Sequence, residues 1–449
     1  MSEYSLSNTA AEIDAVLSGA HYRASFNEFT GAKSFVSAGD SNEAIGANSF
    51  IGGGTGNSTY AINSSIAGGT SGGVGGDCSF IGGGDQNLIV THDNSAIGAG
   101  TGNYVIASQS MIGAGSTNSI GMKVGPFVDY YGCFIGAGSN NNITGYVGVI
   151  GGGSANTISS HVSVIGGGQG NTCSNGYTFI GGGLNNQVAL GYSSVVGGNG
   201  NISSGMNSFI GGGNINFVGE MSAIAGGYFN TASGYASYVG GGINNTASHS
   251  YSSIAGGQDN VSASSHTFIG GGASNVSTGD YSCIVGGLTN QALAEYSFIG
   301  GGLGNYCYAQ YSTVVGGTSN AASVDGEFGF IGGGASNYVR GPYAVVAGGT
   351  FNTASGAYSS ILGGRRCLIA SGHSGASILG DGQDRNHLSK GAHTLSLDFA
   401  SGVFFRLPQF TGASNQAGSF GEMKASGSGL YICTGTAGSG WGRTFLSSF

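Results

Sequence analysis

The sequence predicts an all-β chain wound as a parallel β-solenoid of about 15-residue coils, forming a trimeric fibre with a short N-terminal helix and a small C-terminal β tip. Three observations lead there. An apolar residue followed by glycine recurs every 15 residues, as in Ser253-Ile254-Ala255-Gly256-Gly257 and then Phe268-Ile269-Gly270-Gly271-Gly272. An asparagine follows six residues after most of these apolar positions. The composition fits no competing class: 95 Gly in 449 residues with only 3 Pro is not collagen, and 39% hydrophobic residues is not a disordered polar chain.

A unit of 15 residues is too short for a helix pair but sufficient for one coil of a parallel β-solenoid. With the apolar residue as position 0, the column runs from Ile51, Ile66 and Ile81 through Ile254 and Ile269 to Ile361 and Ile378. Coils stack about 4.8 Å apart, so roughly 22 of them make a shaft on the order of 100 Å long, over residues 46–380. At position +6 stand Asn156, Asn171, Asn186, Asn201, Asn245, Asn260, Asn275, Asn290 and Asn305, expected to form a ladder of amides bonding from coil to coil. The glycine pair allows a positive φ or a close backbone approach at the corner. With no helix behind it, the glycine-rich text is no phosphate-binding loop.

Positions −1 and +1 point the same way on a strand, and their sizes are anti-correlated. Phe179, Phe209, Tyr238, Phe268 and Phe298 are each followed two residues later by Gly, whereas Ser194 is followed by Val196 and Ser253 by Ala255. Such compensation belongs to a packed layer, the ring of one coil filling the small corner of the next. The strand is therefore expected to be covered on both faces, by its own coil on one side and by sister chains on the other, as a parallel homotrimer.

The ends and interruptions depart from the period. Residues 1–20 carry Ser7 and Asn8 as helix caps, with Ile13, Val16 and Leu17 on one face, and are expected to attach the chain and set its register. Residues 21–45 read as a linker with short strands. The steps from Asn118 to Asn141 and from Asn320 to Asn337 exceed the period, so 119–134 and 324–329 bulge outward. Residues 381–449 alternate apolar and polar, and form the tip around Trp441, the only tryptophan.

Chemistry is sparse. No nucleophile, base and orienting group share a motif, and Asp259 and Asp280 are not a pair for glycan cleavage. His161, His249 and His266 fall at different phases of the coil and read as surface residues. Asp381 and Asp384 read as a structural terminator rather than a calcium loop. The seven cysteines lack a C-x-x-C pair and act as small hydrophobic substitutes, as expected in a reducing compartment. A net charge of −9 gives no basic stripe for nucleic acid, no apolar run reaches 18 residues, and the N-terminus lacks the pattern of a secretory signal. No cofactor and no metal are expected, and the chain is not expected to be an enzyme.

The coil text resembles the glycine-rich repeats of phage tail-fibre shafts and, more loosely, the β-roll heads of trimeric autotransporter adhesins. "YSLSNTAAEIDAVL" at 4–17 looks like the N-terminal segment of tail fibres, and "FRLPQFTGASNQAGSFGEMKASGSGLYICTGTAGSGWGR" at 405–443 looks like their distal tip. The resemblance implies a virion protein assembled in the host cytoplasm, docked by its N-terminus on a tail or baseplate protein, and binding a host-surface glycan by multivalent adhesion. The candidate receptor contacts are Tyr130, Tyr131, Tyr431 and Trp441, whose rings can stack on sugars. A bacterial cell-surface adhesin and a polysaccharide-cleaving tailspike are the alternatives.

Overall fold

The computed structural model describes residues 26–121, 131–383 and 386–399, together with the backbone of three further strands, Met423–Ser426, Gly429–Cys433 and Trp441–Thr444. The described residues contain strands and turns and no helix. The sequence reading of a helix at 1–20 lies outside them.

The shaft is a parallel β-solenoid of about 24 coils. Each coil contributes one short strand, of two residues in all but the last coils, to each of two parallel ladders. The first ladder is built from positions +7 and +8, with Val261 opposite Val276 and Ser262 opposite Ser277. The second is built from positions −1 and 0, with Phe268 opposite Cys283 and Ile269 opposite Ile284. A third line of contact runs through single bridges at position +4, such as Ala273 to Leu288. At about 4.8 Å per coil the shaft is roughly 115 Å long.

Alternation along each short strand decides what lies inside. Position 0 of the second ladder and +8 of the first point at one another and form the core: Ile254, Ile269, Ile284, Ala292 and Cys307 are fully buried. Where +8 is serine, the hydroxyl is bonded within the core, Ser277 Oγ to Ser282 Oγ at 2.6 Å. The core is thus one side chain wide on each sheet and continuous along the rod.

The asparagine column closes the corner between the ladders. Asn260 is fully buried; its Nδ2 donates to Asn245 Oδ1 (3.1 Å), to the Gly256 carbonyl of its own coil (3.1 Å) and to the Gly272 carbonyl of the next (3.0 Å). Its Oδ1 accepts from the backbone N–H and the Nδ2 of Asn275, at 3.0 and 3.1 Å. Every polar atom of the buried amide therefore has a partner, and the unit repeats at Asn275, Asn290 and Asn305. Asn156, Asn171, Asn186, Asn201 and Asn245 occupy the same column, each backbone N–H bonded to the preceding Oδ1.

Of the corner glycines, the one at +3 is constrained. Gly272 has φ +87°, and a Cβ there would lie 2.0 Å from the Gly287 carbonyl oxygen and 2.8 Å from Asn275 Nδ2. The glycine thus lets the ladder amide reach the backbone of the adjoining coil. By contrast, Gly256 at +2 faces open space.

The shaft boundaries differ from the sequence reading. The ladders already include Glu28–Phe29 and Phe35–Val36, within the stretch read as a linker, because Val36 and Asn42 fill the inward and ladder columns. They continue past residue 380, where Ser377–Gly380 pairs with Leu395–Asp398. Across the long interval after Asn118 the ladder is unbroken: Asn141 N–H donates to Asn118 Oδ1 at 3.0 Å. Beyond the shaft the three distal strands form an antiparallel sheet.

Candidate functional surfaces

Three surface features stand out on the rod. The first is the outer face of the second ladder. Phe179, Phe209, Tyr238 and Phe268 project from it and are 41–44% exposed, and Phe298 is half-buried. The size compensation at −1 and +1 is satisfied within a coil rather than between coils. A Cβ placed on Gly270 would touch Phe268 Cε1 at 3.4 Å, and on Gly181 it would touch Phe179 Cε1 at 3.5 Å. Each ring thus lies over its own glycine, in the space that Val196 or Val285 fills in the intervening coils. The result is a level apolar strip, and a single chain leaves it open.

The second feature is an aromatic ladder along the corner at +12, which the sequence reading missed. Tyr251, His266, Tyr281, Tyr296, Tyr311, Phe328, Tyr343 and Tyr358 stack coil upon coil, with centroids 4.6–5.0 Å apart and planes within 18° of parallel. All eight stand at left-handed backbone positions, φ 54° to 58°. That geometry turns the side chain outward at the corner. A shorter series joins Tyr131, Tyr146, His161, Tyr177 and Tyr192. His161 and His266, read from the sequence as falling at different phases of the coil, are thus members of aromatic columns; His249 stands outside these stacks.

Electrostatics around the ladder are one-sided from Tyr251 to Phe328. From residue 124 to 339 the chain holds no lysine and no arginine. Asp280, Glu295 and Glu327 each precede a ring of the ladder. Hydrogen bonds from the Ser264 hydroxyl and the Ser265 N–H hold the Asp280 carboxyl below its usual range. Crowding within the stack and the neighbouring Glu295 push the Tyr296 phenol up. Asp259 lies at the other corner, +5, accepting from Asn244 Nδ2 at 2.7 Å, so it forms no carboxylate pair with Asp280.

The third feature ends the shaft. His387 pairs with Cys367, which follows Asn352 in the amide column, so a buried imidazole terminates the ladder. Its Nε2 lies 3.3 Å from an Asp381 carboxylate oxygen and its Nδ1 2.8 Å from one of Asp398. Asp381 therefore belongs to a cluster that ties Leu395–Asp398 to the last coil. Asp384 lies outside the described residues.

Of the candidate receptor contacts, Tyr131 is exposed and stacks on Tyr146 at 5.9 Å. Tyr130 lies outside the described residues. Tyr431 and Trp441 are placed by backbone only, Tyr431 opposite Arg443 and Cys433 opposite Trp441. Among the described residues no group of three or more His, Cys, Asp or Glu is arranged to hold a metal ion, and no helix is long and apolar enough to cross a membrane. Cys78, Cys133, Cys173, Cys283, Cys307 and Cys367 are free thiols. No protein-family model matches the chain, and no curated protein matches it.

Proposed function

We propose that the chain is a homotrimeric fibre subunit of a phage tail, in which the solenoid is a rigid spacer and host-surface glycans are bound by many weak contacts. The supporting observation is the level apolar strip on the second ladder. It is about 115 Å long and about 7 Å wide, roughly 800 Å², which reaches what a stable interface covers on each partner. A row of half-exposed phenylalanines is a poor water-facing surface and a good interchain one. Rotational symmetry with parallel chains sets equal heights together and closes the assembly without a growing end. The N-terminus docks on the tail or baseplate, and three copies per fibre with several fibres per particle multiply weak affinities. The test is host adsorption: purified protein is expected to coat host cells and block attachment of the particle. Protein that neither coats cells nor competes would leave a purely structural role.

A further inference from the structure

The aromatic ladder at 251–358 is unused by the assembly proposed above. Carbon atoms in contact prefer separations of about 3.5–4.0 Å, whereas these near-parallel rings repeat at 4.6–5.0 Å. The rings must therefore be tilted like shingles, by roughly 40° on that contact distance. Each then shows a slanted strip of its face to water, and the six tyrosines add their phenol edges. Tyr281 is 49% exposed, Tyr343 47% and Tyr358 66%.

The chemistry of this strip restricts its partner. It runs for eight coils, so it suits an extended polymer rather than a small molecule. Aromatic strips bordered by hydroxyls favour a ligand with both apolar C–H faces and hydroxyl groups. Asp280, Glu295 and Glu327 stand beside the rings and Arg340, placed over the Tyr338 ring, is the one Lys or Arg within the ladder's span, a balance that disfavours nucleic acid and acidic polysaccharides. We infer that this ladder, on the side of the shaft, is a binding strip for a neutral linear polysaccharide lying along the fibre axis. This rests on the glycan-binding reading and moves the site from the tip to the shaft.

The test uses the full chain in affinity electrophoresis through gels cast with neutral glucan, galactan or mannan, with polygalacturonate as the acidic counter-probe. A neutral polymer is expected to retard the protein and polygalacturonate is not. The triple variant Tyr281→Ser, Tyr296→Ser, Tyr311→Ser should weaken retardation at least about tenfold, because contiguous weak contacts multiply. The triple Tyr→Phe variant keeps the stack, guards against misfolding, and should bind between the two. Retention of binding by the Ser variant, with loss in Trp441→Ala, would overturn the ladder and keep the glycan reading. Failure of every neutral polymer to retard the wild-type chain would overturn both. A Ser variant that becomes a smaller oligomer would assign the ladder to the interchain contact instead, and also overturn the proposal.

Discussion

Asn260→Ala probes the amide ladder. The substitution removes five hydrogen bonds: three donated by Nδ2 and two accepted by Oδ1, at 3.0–3.1 Å. It leaves the Asn275 backbone N–H and the Gly256 carbonyl short of partners, while the Gly272 carbonyl keeps the Gln258 N–H at 2.9 Å. At about 0.5–1.5 kcal/mol net per bond, five bonds come to about 2.5–7.5 kcal/mol, and because two N–H hydrogens are shared among three acceptors the loss falls in the lower half of that span, about 3–5 kcal/mol. Asn260→Asp should cost more, because a buried carboxylate can only accept and would face two carbonyl oxygens and the Asn245 Oδ1. In a solenoid the damage stays near its origin, since each coil touches only its neighbours. The assay is hydrogen exchange by mass spectrometry on the intact protein, following the Asn275 amide and the coils on either side. The expected result is a local loss of protection, larger for Asp than for Ala, with Thr278→Ala, at an exposed position, within about 0.5 kcal/mol of wild type. Unchanged protection at Asn275 in the Ala variant would refute the view that the side-chain ladder holds the corner.

Other outcomes follow from the same geometry. Gly272→Ala places a Cβ against the Gly287 carbonyl at a positive φ and should destabilise its coil by about 3 kcal/mol, whereas Gly256→Ala meets open space and should cost under about 1 kcal/mol by thermal melting. Burial pushes the Cys173 and Cys307 thiols up to about 11, so they stay protonated at mildly alkaline pH. Of the six cysteines from Cys78 to Cys367, Cys78 should be alkylated fastest in native protein and the half-exposed Cys283 more slowly, while the four buried thiols resist, as peptide mapping would show. His387→Ala removes the group between Asp381 and Asp398, so exchange at Leu395–Asp398 should rise while the coils before Asn352 keep their protection.

How much was legible in the sequence follows from what each column tolerates. Position 0 admits only Ile or Val across most of the shaft, and the ladder only Asn, because one fills a closed core and the other must donate and accept at once. Both columns could therefore be read directly. The outward Phe positions were legible through their pairing with Gly, although the packing partner lies in the same coil. The aromatic columns were hidden because they mix Tyr, His and Phe and slip out of phase, to +11 at Tyr146 and His161 in the shorter series and to +14 at Phe328 in the ladder. The first coil was hidden because Ser37-Ala38-Gly39 stands where later coils have three glycines. His387 was hidden because the long step after Cys367 moves it out of phase, and only pairing with Cys367 returns it to the column.

The most direct test of the account is the solution mass of the intact protein, measured by sedimentation equilibrium alongside Phe268→Glu. That substitution points outward from the coil, so it should leave the solenoid folded while charging the apolar strip. The account predicts three copies of the 44.1 kDa chain for the wild type and a smaller species for the variant. A stable, soluble wild-type monomer would contradict it.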